Sequence, residues 1–250
     1  MFICDLGTGK PVVLLHGFCE THRIWLNIAQ RLSGSFRILI PDLPGFGKSD
    51  PLTPPFSIDD VATHVLKQLD LRKVENMVLF GHSLGGYVAL AMAQLEPLRV
   101  SGIGLVHSTA LPDSEERKMN RNRVAEFIGQ HGTEPFVRSF FQNLFSDPGH
   151  MAQKELTEQA IGISPQTLIN YTYAMRDRPD RMPFLASYNG KVIYIAGAKD
   201  PLIPLELIQN QAVVLGAKAT VAVLAEAAHM GPVEQEKDTL IAIQKFLSHF

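Results

Sequence analysis

The chain has 250 residues, 46% of them apolar, with 23 Lys and Arg against 25 Asp and Glu for a formal net charge of −2. That length suits one large α/β domain carrying an insertion and requires no second independent domain. The interspersed, nearly balanced charges disfavour nucleic acid or an anionic membrane surface as a partner. No apolar run is long enough to span a bilayer, and the first ten residues lack the pattern of a signal peptide. Two unpatterned cysteines, Cys4 and Cys19, make no disulfide framework, so the expectation is a cytoplasmic protein with a small-molecule substrate and no membrane insertion. The sequence sets no oligomeric state.

In chain order, Val12–Leu15 is a short apolar run that reads as a buried strand, and it leads into His16-Gly17-Phe18. Pro41–Asp50 is a glycine-rich loop with the pattern D-x-x-G-x-G-x-S. Val74–Phe80 reads as another buried strand, and Leu84–Ala93 as the helix after it, with Gly81-His82-Ser83-Leu84-Gly85 at the junction. Strand and helix alternate to about Val106. From about 108 to 187 the strand signal vanishes: Ser114–Gly129 is charged and helix-forming, Thr133–Phe145 carries Phe136, Val137, Phe140, Phe141, Leu144 and Phe145 at helical spacing, and further helices are expected over Met151–Ile161 and Pro165–Met175. Strands resume at Lys191–Gly197, which runs into Asp200, and at Thr220–Leu224, which is followed by His229. A final helix opens near Pro232 and buries Val233, Leu240, Ile243 and Leu247.

The junction at Ser83 has the form G-x-S-x-G, a serine on a turn so sharp that its neighbours must lack side chains. A serine hydroxyl is a weak nucleophile at neutral pH, so such a turn requires a general base, a carboxylate to orient it and donors for an oxyanion. On elbows of this kind the partners follow in the order Ser, Asp or Glu, His. Asp200 lies beyond a strand's C-terminal end, where open α/β sheets bind ligands, and His229 follows it. Asp42 precedes the serine and so breaks that order. Glu226 reads as an exposed neighbour of His229.

Together these segments resemble the α/β-hydrolase superfamily, over nearly the whole chain outside the central segment. The resemblance implies a mostly parallel sheet flanked by helices, with a core of residues 1–107 and 188–250 and a helical cap of residues 108–187. It implies Ser83 as nucleophile, Asp200 as acid, His229 as base, and the backbone N–H groups of Phe18 and Leu84 as oxyanion donors. Some members carry the acid after the strand preceding the cap, but here Val106-His107-Ser108-Thr109 offers no carboxylate before Asp113. His16 and His82 flank the site and read chiefly as loop-packing hydrogen-bond partners. With Phe140, Phe141, Met175 and Met230 they complete the candidate substrate contacts. The helical segment also carries Arg117, Arg121, Arg123, Arg138, Arg176, Arg178 and Arg181, of which one or two facing inward would suit a substrate carboxylate, while nearby acids suit surface pairing for the rest.

The leading expectation is a serine hydrolase that cleaves a carboxylic ester or thioester of a small, largely apolar substrate through an acyl-enzyme. Two alternatives stay open: a C–C bond hydrolase or lyase using the same triad, for which an arginine-lined pocket would speak, and a ligand receptor built on the same fold. The loop reads His-Gly-Phe, which in the superfamily accompanies unhindered esters, and a serine at the elbow argues against the dehalogenase and epoxide hydrolase branches. No cofactor is expected. Gly47-Lys48-Ser49 lacks the first glycine of a P-loop, Gly102 and Gly104 lack the third glycine of a dinucleotide fingerprint, and the nine histidines form no H-E-x-x-H, so no metal is expected.

Overall fold

The structure is a computed structural model that describes residues 1–250. The chain runs through β1 (Ile3–Leu6), β2 (Lys10–Leu15), a short 3-10 turn, α1 (Leu26–Leu32), β3 (Phe36–Pro41), α2 (Ile58–Asp70), β4 (Met77–His82), α3 (Leu84–Leu95) and β5 (Val100–Val106). Five helices follow without an intervening strand: α4 (Glu115–His131), α5 (Thr133–Gln142), α6 (Met151–Ala160), α7 (Pro165–Arg176) and α8 (Met182–Ser187). The chain then returns through β6 (Lys191–Gly197), α9 (Leu205–Leu215), β7 (Ala219–Leu224), α10 (Gly231–Glu234) and α11 (Glu236–Leu247).

The seven strands form one sheet in the order β1-β3-β2-β4-β5-β6-β7. Only β1 runs antiparallel to its neighbour. β4 is buried at every position because helices cover both faces of a parallel sheet, which is why its sequence is an unbroken apolar run and shows no alternation. α3 is buried along nearly its whole length, as befits a helix apolar on all sides. α2 instead buries one stripe, Ile58, Val61, Ala62, Val65, Leu66 and Leu69, and starts on a reciprocal cap in which Ser57 Oγ accepts from the Asp60 N–H and Asp60 Oδ2 from the Ser57 N–H.

This topology brings distant parts of the chain together. Because β2, β4, β5, β6 and β7 are parallel, the loops that follow them emerge at one edge of the sheet, and they carry Phe18, Ser83, His107, Asp200 and His229. The helices between β5 and β6 have an apolar interior of their own, with α4 against α7 and α5 against α6, and α7 also touches α2. Ile128, Val137, Phe141, Leu156, Leu168 and Tyr171 are buried there.

The expected elements fall close to their places, with four differences. The strand expected from Val74 begins at Met77, because the buried Val74 is still held in the preceding turn by its N–H bond to the Leu69 carbonyl. β1 and α8 gave no clear signal, being only four and six residues long. The single closing helix expected from Pro232 is two helices, α10 and α11, broken at Gln235. Glu234 accounts for the break: its carboxylate takes the N–H groups of Ala228, Met230 and Ser146, so it is drawn off the helix surface toward the loop that carries His229.

Candidate active site

Ser83 sits between β4 and α3 with φ 49° and ψ −114°, a left-handed conformation unfavourable for a residue with a side chain. Hydrogen bonds over-determine it: the Ser83 N–H donates to the Val106 carbonyl at 2.9 Å, and its carbonyl accepts from Ser108 Oγ at 2.8 Å and the Gly86 N–H at 2.9 Å. The glycines serve close approach. A Cβ on Gly81 would collide with the Gly85 backbone, and one on Gly85 with the Leu15 carbonyl. Ser83 Oγ itself makes no hydrogen bond within the protein and opens into a cavity that His229 also lines. The N–H groups of Phe18 and Leu84 donate to no protein acceptor, the second because it belongs to the first residue of α3, at the positive end of the helix dipole.

Asp200 binds the His229 ring from behind. Its Oδ1 accepts the N–H groups of Leu202 and Ile203 at 2.8 and 2.9 Å, and its Oδ2 accepts Nδ1 of both His229, at 2.8 Å, and His107, at 3.0 Å. A carboxylate can only accept, so both imidazoles carry their proton on Nδ1, and His229 is left with its Nε2 lone pair. Burial works against the Asp200 charge, but attraction to His229 and the hydrogen bonds from both rings outweigh it and hold the carboxyl well below the usual carboxylate range. Burial pushes His107 down to about 4, so it is a neutral donor near pH 7, and its Nε2 finds no partner. One nitrogen each of His107 and His229 and one oxygen of Asp200 lie within 4.8 Å of one another, at the N–O separations of N–H···O bonds.

A second buried network ties the three loops together. His82 Nδ1 lies 3.0 Å from the Glu20 carboxylate and its Nε2 donates to the His229 carbonyl at 2.8 Å, while Glu20 also accepts the Gly17 N–H at 2.6 Å. Both ring nitrogens face acceptors, so both carry protons and His82 is a cation beside an anion. Burial opposes charge on each; mutual attraction outweighs it, raising His82 above its ordinary 6.5 and lowering Glu20 below its ordinary 4.5. The Glu20 contribution to stability is present above about 4.5 and is lost as pH falls through its lower folded value. The His82 contribution is present below about 6.5 and is lost as pH rises through its higher folded value. Both are therefore complete between those two values. Glu20→Ala, which leaves a buried cation alone, is expected to cost about 3–5 kcal/mol at pH 6 in urea unfolding, with a smaller deficit at pH 9. A deficit independent of pH would show that the pair is not ionised.

The cavity, about 230 Å³, is lined by Phe18, Ser83, Tyr87, Arg117, Asn120, Arg121, Val124, Phe136, Phe140, Met175, Leu202, Ile203 and His229. Among the candidate contacts, Phe140 and Met175 line it, but His16, His82, Phe141 and Met230 do not. His16 is spent on the loops, accepting from the Leu43 N–H at 2.9 Å with its other nitrogen 2.8 Å from the Gly17 carbonyl. Phe141 points into the interior between α5 and α6, and Met230 is wholly buried beneath the His229 loop. The period of α5 contains the distinction: Phe136 and Phe140, four apart, share the cavity face, while Val137 and Phe141 share the buried one. Phe136, Tyr87, Asn120, Val124, Leu202 and Ile203 join the wall, and His107 and Glu20 the buried networks, without any local sequence pattern that marks them for those places.

A model of the alpha/beta hydrolase fold family matches residues 10–235. The chain is 29% identical, over 90% of its length, to a dihydrolipoyllysine-residue acetyltransferase component of the acetoin cleaving system of Pseudomonas putida, and spans 60% of that longer protein. It is 27% identical to a pimeloyl-[acyl-carrier protein] methyl ester esterase of Pseudoalteromonas atlantica, covering 96% of this chain and 95% of that one. A malate-bound structure of a thermophilic esterase from Thermogutta terrifontis superposes with a TM-score of 0.93 at 28% identity, over 99% of this chain and 93% of the other. With the sheet order, the serine-bearing turn and a family match over most of its length, the chain belongs to the α/β-hydrolase fold family.

Proposed function

We propose that this protein is a serine hydrolase that cleaves a carboxylic ester or thioester of a small, largely apolar acyl group. The observation that carries the proposal is Ser83, held on a strained turn with its hydroxyl free in a cavity shared with His229, whose far nitrogen is bound by Asp200. The esterases among the similar proteins support it. In this reading His229 Nε2 takes the Ser83 proton as Oγ attacks the carbonyl carbon, and Asp200 stabilises the imidazolium that forms. The N–H groups of Phe18 and Leu84 receive the oxyanion, aided by the dipole of α3. His229 then protonates the leaving group, and a water activated by the same ring releases the acid. Residues 108–187 act as a cap over a core of 1–107 and 188–250, supplying Phe136, Phe140 and Met175 to the acyl pocket.

One observation favours a second reading. Arg117 and Arg121 line the same cavity, as an enzyme that cleaves the C–C bond of an acidic diketone would require. The test is nitrophenol release from esters of increasing acyl length beside turnover of diketone acids, with fluorophosphonate labelling mapped by peptide mass. A nitrophenol burst stoichiometric with enzyme, multiple turnovers and a label on Ser83 are expected. Turnover of diketone acids alone would favour the second reading, and a label on another residue would sink both.

A further inference from the structure

The arginines between α4 and α8 are not equivalent in space. Arg138, Arg176 and Arg181 are taken up by the carboxylates of Glu134, Asp177 and Asp59 at 2.7, 2.7 and 2.6 Å. Arg123 is exposed. Arg178 is buried, 2.8 Å from Asp113 and 4.1 Å over the ring of Tyr87. Arg117 and Arg121, one turn apart on α4, are half-buried and line the cavity shared by Ser83 and His229.

Their charges are undercompensated. Arg117 has no carboxylate within ion-pair distance, and its guanidinium's one hydrogen bond runs to the Leu202 carbonyl, which fixes it against the loop after Asp200 without neutralising it. Arg121 Nε donates to Asp113 Oδ2 at 3.0 Å, but Asp113 is shared with Arg178. Two guanidinium groups thus share one carboxylate while Arg117 has none, and no carboxylate lines the cavity. Beside them Phe18, Phe136, Phe140, Val124, Leu202 and Ile203 make much of the wall apolar, and its other polar groups, Ser83, Tyr87, Asn120 and His229, carry no carboxylate, so a wholly apolar substrate would strip water from these cations without supplying a counter-charge. An anion would supply it, and the planar fork of a guanidinium matches a carboxylate in two parallel hydrogen bonds.

We propose that Arg117 and Arg121 form a subsite for a free carboxylate, and that the substrate is an ester acid whose carboxylate is separated from the scissile ester by an apolar segment. The subsite deepens the ester-hydrolase reading and rests on it for the position of the reacting carbonyl. The ester lies at Ser83, the apolar segment crosses the phenylalanine wall, and the carboxylate ends at α4.

The first arm of the test needs no turnover. Linear dicarboxylates from succinate to suberate and their diamides are titrated calorimetrically into the wild-type protein, Arg117→Gln, the Arg117→Gln/Arg121→Gln double variant and Arg117→Lys. The best dicarboxylate is expected to bind wild type at least about tenfold more tightly than its diamide, as charge-assisted hydrogen bonds do. The preference should fall in Arg117→Gln, vanish in the double variant and survive in part in Arg117→Lys. Equal binding of diacid and diamide by wild type, or a preference that persists in the double variant, overturns the subsite.

The second arm compares kcat/KM for a mono-nitrophenyl ester of the best diacid with its terminal amide, and for the acetate ester of an ω-hydroxy acid with its amide. An acid preference in the first pair assigns the carboxylate to the acyl side, and in the second pair to the alcohol side; a preference in neither overturns the proposal. Failure of all esters to turn over, with diacid binding intact, would remove the ester-hydrolase reading and leave the anion subsite standing.

Discussion

Ser83→Ala is expected to lower kcat for nitrophenyl ester hydrolysis by about 10⁶, the cost seen when a triad serine acts as a unit with its base. No other serine, and no threonine or cysteine, lines the cavity. The Cys19 thiol is absent from the wall, and burial drives it well above its ordinary value, so no thiolate forms there. The variant makes a clean test because Ser83 Oγ has no hydrogen bond within the protein to lose, and alanine inherits the same backbone strain. Unfolding free energy is therefore expected to stay within about 0.5 kcal/mol of wild type. Steady-state kinetics with active-site titration measures the first quantity and urea unfolding the second. Turnover by Ser83→Ala within about tenfold of wild type would remove the covalent mechanism altogether.

Asp200→Asn should cost about 10⁴ in kcat. Oδ1 of Asp200 already accepts two backbone N–H groups, from Leu202 and Ile203, so the amide oxygen of an asparagine stays there and its NH₂ turns toward the imidazoles. Those are the Nδ1 atoms of His229 and His107, both of which need an acceptor. To meet a donor, His229 must move its proton from Nδ1 to Nε2, and the nitrogen facing the cavity can then no longer take the Ser83 proton. The loss is thus one of tautomer, with little change of shape. Because the Asp200 carboxyl is held below the usual carboxylate range, its contribution to stability is present above its unfolded value and is lost only as pH falls through the folded one. The variant should accordingly lose stability at neutral pH and converge on wild type in acid. The checks are kcat at pH 7 and a pH series of urea midpoints. Activity within about tenfold of wild type would show that Asp200 does not orient the base.

The buried strands were legible as apolar runs, because a sheet covered on both faces tolerates no alternation. The Ser83 turn was legible because the close approaches at Gly81 and Gly85 leave room for no side chain. α5 was legible from the helical spacing of its apolar residues, and α4 from its helix-forming composition, since it buries only Ala125 and Ile128. Even the choice between Phe140 and Phe141 lay in the period of α5, although only packing shows which face is which.

His107 and Glu20 were not legible. His107 meets Asp200 across 93 residues, Glu20 meets His82 across 62, and His82 meets the His229 carbonyl across 147. Their proximity follows from the order in which β2, β4, β5, β6 and β7 line up, and no local pattern marks a residue that matters only through a partner on another strand's loop. The arginines show the same division. Their number and helical setting were plain in the sequence, but which of Arg117, Arg121, Arg178 and Arg181 are neutralised depends on where Asp59 and Asp113 arrive in space. The sequence by itself determined the fold family, the elements and the serine-bearing turn, because these rest on local sterics and periodic burial. Only the tertiary structure decided which charges are paired, which rings face the cavity and which histidines share one carboxylate, because electrostatics and packing act through space.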